Sequence, residues 1–219
     1  PNRFDAQRPV YNPVSLAQDQ KDKLLRLYVA SQINLSDRWH VVAGASWARS
    51  DSSGINYGED IDIYQSEVNP YAGLLFDITP FVTAYASYTT IFNPQGQYDI
   101  NHAQLDPIEG TNIEAGVKAN LFDQNFYLTA TVFETKQENL ASFVGSVEDP
   151  VFGNFFYYEG VDTTARGFEI EMAGRVTPNW EVSGGYSKLT RLEDDDGAET
   201  REFIPRETIK LSTTYNVPQ

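Results

Sequence analysis

The chain has 219 residues, no cysteine and a formal net charge of −15, and its length suits one large β-domain or two small ones. The missing cysteines exclude disulfides and thiolate metal sites, and the acidic balance argues against nucleic acid as a partner, because phosphate binding needs a basic surface. Tyrosine and phenylalanine, 13 of each, favour strands. No run of about 18 apolar residues occurs, so no membrane-spanning helix is predicted.

Nine strand-like segments follow one another along the chain. In nearly all of them apolar residues alternate with polar ones, which is typical of a strand with one apolar and one wet face. In residues 112–122, for example, Ile113 and Val117 alternate with Glu114 and Lys118. The predicted strands are residues 21–35, 39–50, 64–77, 81–92, 111–122, 126–139, 158–176, 180–191 and 206–217.

The connections between the predicted strands alternate in length. The tight ones read LSDRW, DITPF, FDQNF and VTPNW, and their Asp, Asn and Pro residues suit hairpin turns. The long ones lie near residues 51–63, 93–110, 140–157 and 192–205. Nothing in a β-sandwich requires short connections at one end and long ones at the other. An outer-membrane barrel, by contrast, has short periplasmic turns and long extracellular loops.

Aromatic residues form two rows relative to the tight turns. One aromatic directly follows each turn, and a second comes six to eight residues later. The first row is Trp39, Phe81, Phe126 and Trp180, and the second is Trp47, Tyr88, Phe133 and Tyr186. Such rows indicate interfacial girdles, although aromatics are also common in strands generally. Phe133 has the parity of the polar face and is predicted to point into the lumen.

Mid-strand charges occupy the polar set of positions. They are Glu114, Lys118, Glu169, Glu171, Arg175, Glu181 and Lys210. A charged side chain that faces lipid has a high free-energy cost, so a membrane barrel would place these charges in its interior. A soluble barrel would reverse the arrangement, and parity alone does not separate inside from outside. Loop sorting and the aromatic rows favour charges inside.

The sequence carries no signature of catalysis. His40 and His102 are isolated, and no nucleophile, nucleotide or metalloprotease motif occurs, so we expect no enzyme, no catalytic residue and no metal site. The acidic run LEDDDGAETRE at residues 192–202 has consecutive aspartates, which miss the alternating spacing of a calcium loop. It is interpreted as a solvated loop, with loosely held divalent cations near lipopolysaccharide as the alternative.

Candidate ligand-binding residues lie in the long connections. Clustered aromatic rings with few charges suit a bulky, partly apolar ligand, and packing of loop on loop is an equally good interpretation. Arg49 and Arg191, like Arg166 and Lys188, lie near loop bases, where they would contact an anionic ligand group or remain solvated. The aromatic candidates are Tyr57, Tyr64, Phe92, Tyr98, Phe143, Phe152, Phe155, Phe156 and Tyr157.

Four stretches carry a resemblance to a known family. They are YASYTTIFNPQ at 85–95, LDPIEGTNIEAGVKANLFDQNFYLTATVFETKQENLA at 105–141, YYEGVDTTARGFEIEMAGRVTPNWEVSGGYS at 157–187 and PRETIKLSTTYNVP at 205–218. Together they resemble the TonB-dependent siderophore receptors of Gram-negative outer membranes, in particular those for hydroxamate and pyoverdine-type siderophores. The resemblance implies an all-β fold: residues 1–219 would be a partial, middle-to-late segment of an antiparallel transmembrane β-barrel of 22 strands.

The same resemblance implies a function in the cell outer membrane. It implies active import of a ferric siderophore, with the iron held by the chelator and no other cofactor. TonB–ExbB–ExbD would act through a plug domain, and lipid and lipopolysaccharide would surround the barrel. The acidic loops favour a hydroxamate or mixed chelate over an anionic catecholate.

The chain also departs from the family's pattern. It shows no plug sequence, no TonB box and no signal peptide, and it ends at YNVPQ, without a terminal aromatic residue. We therefore expect it to be an internal fragment of a longer receptor. A passive outer-membrane porin or channel and, in a different class, a soluble β-rich adhesin are the alternatives.

Overall fold

A single antiparallel sheet contains every strand of the protein that is described. The computed structural model describes residues 18–56, 59–122, 125–149 and 153–218, and within them nine strands pair in chain order. The predicted number and order of strands are thereby confirmed. The strands are β1 (Gln18–Asn34), β2 (Trp39–Asn56), β3 (Glu59–Thr79), β4 (Val82–Asn93), β5 (Ile108–Leu121), β6 (Phe126–Asp149), β7 (Gly153–Thr177), β8 (Trp180–Asp194) and β9 (Glu207–Tyr215). In this described part of the chain, no helix has the length and hydropathy that crossing a membrane requires.

The tight turns lie at one end of the sheet, here called the turn end. Short polar side chains organise two of them. The Ser36 hydroxyl oxygen accepts a hydrogen bond from the Trp39 N–H at 3.2 Å, and the Thr79 hydroxyl oxygen accepts one from the Phe81 N–H at 3.3 Å. Such side-chain bonds satisfy turn N–H groups that no strand partner can reach.

The opposite end, here called the loop end, differs from the prediction. The connections near 51–63 and 140–157 were expected to be loops, but most of their residues continue the strands. β2 pairs with β3 as far as Asn56 and Glu59, and β6 pairs with β7 as far as Asp149 and Gly153. Backbone pairing in a hairpin does not require alternating apolar side chains, so a search for alternation ends too early. The links after β4 and β8 are loops, residues 94–107 and 195–206.

The register separates the side chains into two faces. Directly paired residues share a face, and pairs such as Ala130 with Val117 and Ile170 belong to the apolar face. The polar face carries Lys118 opposite Thr129. Phe133 pairs with Glu114, which confirms its predicted place on the polar face. The other predicted interior charges, Glu169, Glu171, Arg175, Glu181 and Lys210, follow the same parity.

The sheet has almost no core of its own. Among the described residues, the buried apolar side chains are Ala48, Ile61, Phe92 and Leu192. On the apolar face, by contrast, Val132 is 58% exposed. An apolar surface of this extent needs a covering partner, which this sheet does not supply itself.

Gly174 provides a prediction for the turn end. Its φ of 146° lies in a region that side chains rarely adopt, and an added Cβ would overlap the Asn125 carbonyl oxygen and lie 2.6 Å from the Phe126 Cα. We expect Gly174→Ala to lower the free energy of unfolding by about 1–3 kcal/mol. At Gly185 the nearest atom to an added Cβ is 3.7 Å away, so Gly185→Ala is the matched control. Equal urea midpoints for the two variants would contradict the expected strain.

Candidate functional site

The polar face is a hydrogen-bonded wall. The Tyr85 hydroxyl lies 2.8 Å from the Thr131 hydroxyl, and the Lys118 ammonium lies 4.6 Å from the centre of the Tyr85 ring. The Ser187 hydroxyl donates to a Glu169 carboxylate oxygen at 3.0 Å. The aromatic ring stabilises the charge of Lys118, and the hydroxyl donor stabilises the charge of Glu169. This face therefore suits contact with water or a polar partner.

The apolar face carries aromatic rings at two levels. Near the turn end, the Trp39 and Phe76 ring centres are 4.5 Å apart. Further toward the loop end, the Phe168 and Tyr186 ring centres are 5.7 Å apart. Phe168 thus supplies the upper ring that the sequence pattern had assigned to Phe133. An apolar band bracketed in this way suits a lipid bilayer with rings at the head-group levels.

At the loop end, residues 94–107 reach across to the β6–β7 hairpin. The Tyr158 N–H donates to the Tyr98 carbonyl oxygen at 2.9 Å. The Gln95 amide donates to the Asn139 carbonyl oxygen at 2.6 Å and also to the Asp106 carbonyl oxygen. Since Gln95 is buried, these bonds are shielded from water and hold the two hairpins together.

Asp99 fixes the shape of this loop. One of its carboxylate oxygens accepts hydrogen bonds from the Asn101 and Ala103 N–H groups, each at 2.8 Å. The bond from the Ala103 N–H is the main reason that the pKa of Asp99 lies below its usual value, because it stabilises the charged form. The ordered loop brings His102 within reach of the hairpin.

Aromatic side chains meet where the loop contacts the hairpin. The His102 and Phe155 rings stack with their centres 4.1 Å apart. Tyr157 lies against Gly145, where an added Cβ would be 3.2 Å from the tyrosine hydroxyl oxygen. Both register shifts between β6 and β7 insert the extra residue in β6, so the side chains of β7 keep alternating between the two faces from Glu169 to Phe155. Phe155 and Tyr157 therefore share the polar face with Glu169. Tyr98 adjoins the stacked pair of His102 and Phe155 through its backbone bond to Tyr158, and Tyr157 lies two residues beyond Phe155 on the same face. We call Tyr98, His102, Phe155 and Tyr157 the aromatic cluster.

A cleft of about 600 Å³ opens at the loop end of the polar face, between β6, β7 and the loop after β8. Its wall includes Leu140 and Val161, which pair across β6 and β7, and its rim includes the 84% exposed Phe203. The cleft has the size of a small-molecule site. Its lining residues are Leu140, Ala141, Ser142, Val161, Thr163, Thr200, Arg201, Glu202 and Phe203.

Other predicted aromatics lie on the opposite side of the same hairpin. The Phe143 ring centre is 6.2 Å from that of Phe156 and 5.8 Å from that of Tyr158. Phe156 and Tyr158 have the parity of Phe168 on the apolar face. The structure therefore does not bring Phe143 and Phe156 to the cleft.

The remaining predicted ligand residues that the structure describes are buried or make other contacts. Phe92 is 8% exposed and has little surface to offer a ligand. Arg49 binds Asp51 at 2.9 Å and lies 4.9 Å from the centre of the Tyr64 ring, on the apolar side of β2 and β3. Arg191 binds Glu193 at 2.6 Å on the apolar side of β8. Tyr57 and Phe152 lie outside the described residues.

His102, Gln95 and the cleft residues were not among the predicted site residues. In the sequence His102 is isolated, because no other histidine or cysteine lies near it. A φ of 62° at His102 and of 59° at Asn139 marks backbone positions that a sequence search does not reveal. The two contacts with β6 and β7 depend entirely on how the loop crosses the sheet.

The stability of the protein should depend on pH through Glu109. This residue lies at the loop end of β5, four residues beyond Ile113, which pairs with Tyr88 of the upper aromatic row. Burial, followed by repulsion from Glu67, Glu138 and Asp106, raises its pKa above the usual 4.5. Ionised Glu109 is disfavoured in the folded state and therefore lowers the free energy of unfolding. This destabilisation is absent below pH 4.5 and grows as the pH rises through the raised pKa. Glu109→Gln should therefore increase resistance to urea at neutral pH and have no effect below 4.5. Asp195→Asn, which removes an exposed loop charge, is the control; equal gains at both pH values would contradict the prediction.

Comparison with protein families and curated relatives gives one consistent result. Residues 1–219 match the family model described as TonB dependent receptor-like, beta-barrel. The chain is 35% identical over 198 residues to the ferric-pyoverdine 358 receptor of Pseudomonas putida. The aligned region covers 87% of the chain and 24% of that receptor. It is 29% identical over 221 residues to the ferripyoverdine receptor of Pseudomonas aeruginosa, covering 96% of the chain and 26% of that receptor. The chain thus spans about a quarter of the length of the curated relatives it matches.

Solved structures agree with the sequence relatives. The sheet matches the ferripyoverdine receptor of the outer membrane of Pseudomonas aeruginosa bound to ferripyoverdine with a TM-score of 0.78 and 27% identity, over 91% of the chain and 27% of that receptor. It matches the alcaligin outer-membrane receptor of Bordetella pertussis with a TM-score of 0.76 and 28% identity, over 91% of the chain and 35% of that receptor. Both matches align the strands described above with part of a closed barrel.

Proposed function

Because the chain belongs to the TonB dependent receptor-like β-barrel family, we propose that the protein carrying it imports a ferric siderophore across the outer membrane. The family consists of outer-membrane receptors, so the apolar face lies against lipid and the polar face toward the barrel interior. The turn end is then periplasmic and the loop end extracellular. A ligand arriving from outside meets the loop end first.

The observation that carries the proposal is the aromatic cluster, which lies at the same end of the polar face as the cleft. The stacked pair of His102 and Phe155 and the open cleft of about 600 Å³ lie on the interior face at the extracellular end. Rings of this kind bury the apolar parts of a bulky ligand, while the hydroxyl groups of the cleft, such as those of Ser142 and Thr200, are available for its polar parts. We propose that this region, together with interior surfaces outside this chain, holds the siderophore.

The chemistry of the loops narrows the ligand class. The loop after β8 that borders the cleft carries four carboxylates, Asp195, Asp196, Glu199 and Glu202, against the two arginines Arg201 and Arg206, and Asp194 ends the strand before it. This negative field would repel a highly charged catecholate complex more than a hydroxamate or mixed chelate. The relatives in Pseudomonas named for ferric pyoverdine support the mixed class. The chelator, in this proposal, carries the iron, and the protein contributes no metal ligand.

Uptake against a gradient needs energy, which we propose reaches the receptor from TonB–ExbB–ExbD through a plug domain. The chain's share of the barrel supplies the wall and the ligand-facing hairpins. A passive channel would need neither plug nor energy. The distinction can be measured in cells, since an uncoupler of the inner-membrane proton gradient stops energised import and leaves diffusion unchanged.

The test is uptake of labelled ferric siderophores by an iron-starved strain that lacks the receptor gene. Restoring the full-length gene should restore uptake of one hydroxamate or mixed-type siderophore from a panel that includes catecholates. The uncoupler should abolish that uptake. Uptake that survives the uncoupler would favour the passive channel, and uptake of no siderophore would refute the proposal.

A further inference from the structure

The β6–β7 hairpin extends beyond both of the strands that flank it. On one side β5 pairs with β6 only as far as Glu138, and on the other β8 pairs with β7 only as far as Thr163. Above this level the described part of the chain places no further strand beside the hairpin. We call residues 139–149 and 153–162 the upper hairpin. Two strands on their own are only marginally stable in water, so other contacts must fix the position of the upper hairpin.

A bend lies at the base of the upper hairpin. Between Gln137 and Leu140, β6 carries one residue more than β7, and Asn139 has a φ of 59°. An inserted residue bends a strand and leaves backbone groups outside the ladder. Here two side chains bind those groups. The Asp162 carboxylate accepts a hydrogen bond from the Asn139 N–H at 2.9 Å, and the Gln95 amide donates one to the Asn139 carbonyl oxygen at 2.6 Å.

Gln95 connects this bend to the flanking part of the sheet. Its amide also donates to the carbonyl oxygen of Asp106, two residues before β5 begins. Its own carbonyl oxygen accepts a hydrogen bond from the Gln104 amide at 2.7 Å. Because Gln95 is only 9% exposed, water does not readily replace these bonds. Gln95 therefore ties the bend to the start of β5 and fixes the direction of the upper hairpin.

The direction of the upper hairpin sets the width of the cleft. One wall of the cleft, residues 140–142 and Val161, lies on the upper hairpin just above the bend, and the other wall is residues 200–203 of the loop after β8. This second wall is attached to β8, because the Thr200 N–H donates to the Leu192 carbonyl oxygen at 3.2 Å. A rotation at the bend would move the first wall relative to the second. It would also move the rings of the aromatic cluster that the upper hairpin carries.

We propose that Gln95 is a positioning residue of the siderophore site, which holds the upper hairpin in the direction that binds ligand. The proposal rests on the proposed function. Gln95 acts through Asn139 and does not itself touch the siderophore. Without its bonds the upper hairpin would sample several directions, and only the fraction of receptors in the competent one would accept the ligand. A variant should therefore lose association rate and keep its dissociation rate.

The first test is the kinetics of siderophore binding to the purified full-length receptor, followed by fluorescence quenching after rapid mixing. The probe is the ferric siderophore that the uptake panel selects, with ferripyoverdine tried first. Gln95→Leu removes both donor bonds at similar side-chain volume, so the association rate should fall by about tenfold. The matched control is Gln97→Leu, since the Gln97 side chain accepts its hydrogen bond within the same loop, from the Gly96 N–H at 3.1 Å. The control should leave both rates unchanged.

A pair of variants on the other side of the bend keeps the proposal testable if Gln95→Leu fails to fold. Asp162→Ala removes the acceptor of the Asn139 N–H and should lower the association rate in the same way. Asp162→Asn keeps an oxygen at that position and should restore the rate. Equal association rates for the two Asp162 variants would contradict the role of the bend.

The direction of the upper hairpin can also be measured without any siderophore. The chain contains no cysteine, so spin labels can be attached at Ser146→Cys in the upper hairpin and Thr190→Cys in β8, with any cysteine elsewhere in the receptor replaced by serine. The distance distribution should be narrow in the parent and with Gln97→Leu, and broad with Gln95→Leu. A narrow distribution with Gln95→Leu, or a loss confined to the dissociation rate, would overturn the proposal. A parent receptor that binds no siderophore would instead contradict the proposed function.

Discussion

Replacing Ala130 by arginine is expected to lower the free energy of unfolding of the membrane-inserted receptor by about 2–4 kcal/mol. The same replacement at the adjacent Thr129 should change it by no more than about 0.5 kcal/mol. The two residues lie at the same depth of β6 and point to opposite faces. Ala130 pairs with Val117 and Ile170 on the lipid side, whereas Thr129 pairs with Lys118 and Glu171 on the interior side.

The physical reason is the difference in solvent between the two faces. A guanidinium at the bilayer midplane loses its hydration. One on the interior face keeps its water, and its attraction to the Glu171 carboxylate opposes its repulsion from Lys118 on the other side. Urea unfolding of the receptor in lipid vesicles measures both values, and Ala130→Leu controls for side-chain size. A larger loss for Thr129→Arg than for Ala130→Arg would reverse the assignment of the two faces.

Removing the two hairpin rings on the interior side should weaken ferric siderophore binding by about 100-fold. Truncating a central aromatic contact costs about 2 kcal/mol or more, and neighbouring truncations are not additive, so the pair Phe155→Ala/Tyr157→Ala is expected to cost about 3 kcal/mol, or roughly 100-fold. Phe155 lies under the His102 ring, and its truncation also removes this contact with the loop after β4. This prediction depends on the proposed function.

The opposite side of the same hairpin provides the control. Phe143→Ala/Phe156→Ala removes two rings of similar size that contact each other on the outward side, and should leave siderophore affinity within about threefold. Truncating Phe156 in addition to Phe155 and Tyr157 should add nothing to the loss. Equal losses for the two pairs, measured by ligand-induced fluorescence quenching of folded receptor, would assign the rings to loop packing.

Alternation along the sequence predicted the fold because it is a local property. Side chains on a strand point to alternate faces wherever the strand lies, so nine segments and the polar-face position of Phe133 could be predicted, and the pairing confirmed both. The strand lengths were predicted less well. Beyond Gln137 and Thr163, β6 and β7 continue for many pairs through residues whose sequence shows no apolar face.

Alternation along β2 predicts the face of Arg49 correctly. Arg49 lies two residues beyond Trp47 and shares the apolar side with it. For Arg191 parity was misleading, because the inserted residue in β8 between Leu189 and Arg191 shifts every later side chain to the other face. An inserted residue leaves no mark in the pattern when the residues around it are polar. Its position is decided by pairing with β7.

The sequence by itself determined the class of fold, the family and the face of most strand residues, since each depends on neighbours two positions apart or on motifs within one hairpin. Only the tertiary structure decided which loop residues meet. Gln95 and Asn139 are 44 residues apart, and His102 meets Phe155 because the loop after β4 extends to β6 and β7. Contacts of this kind depend on the path of the whole chain, which no local pattern encodes.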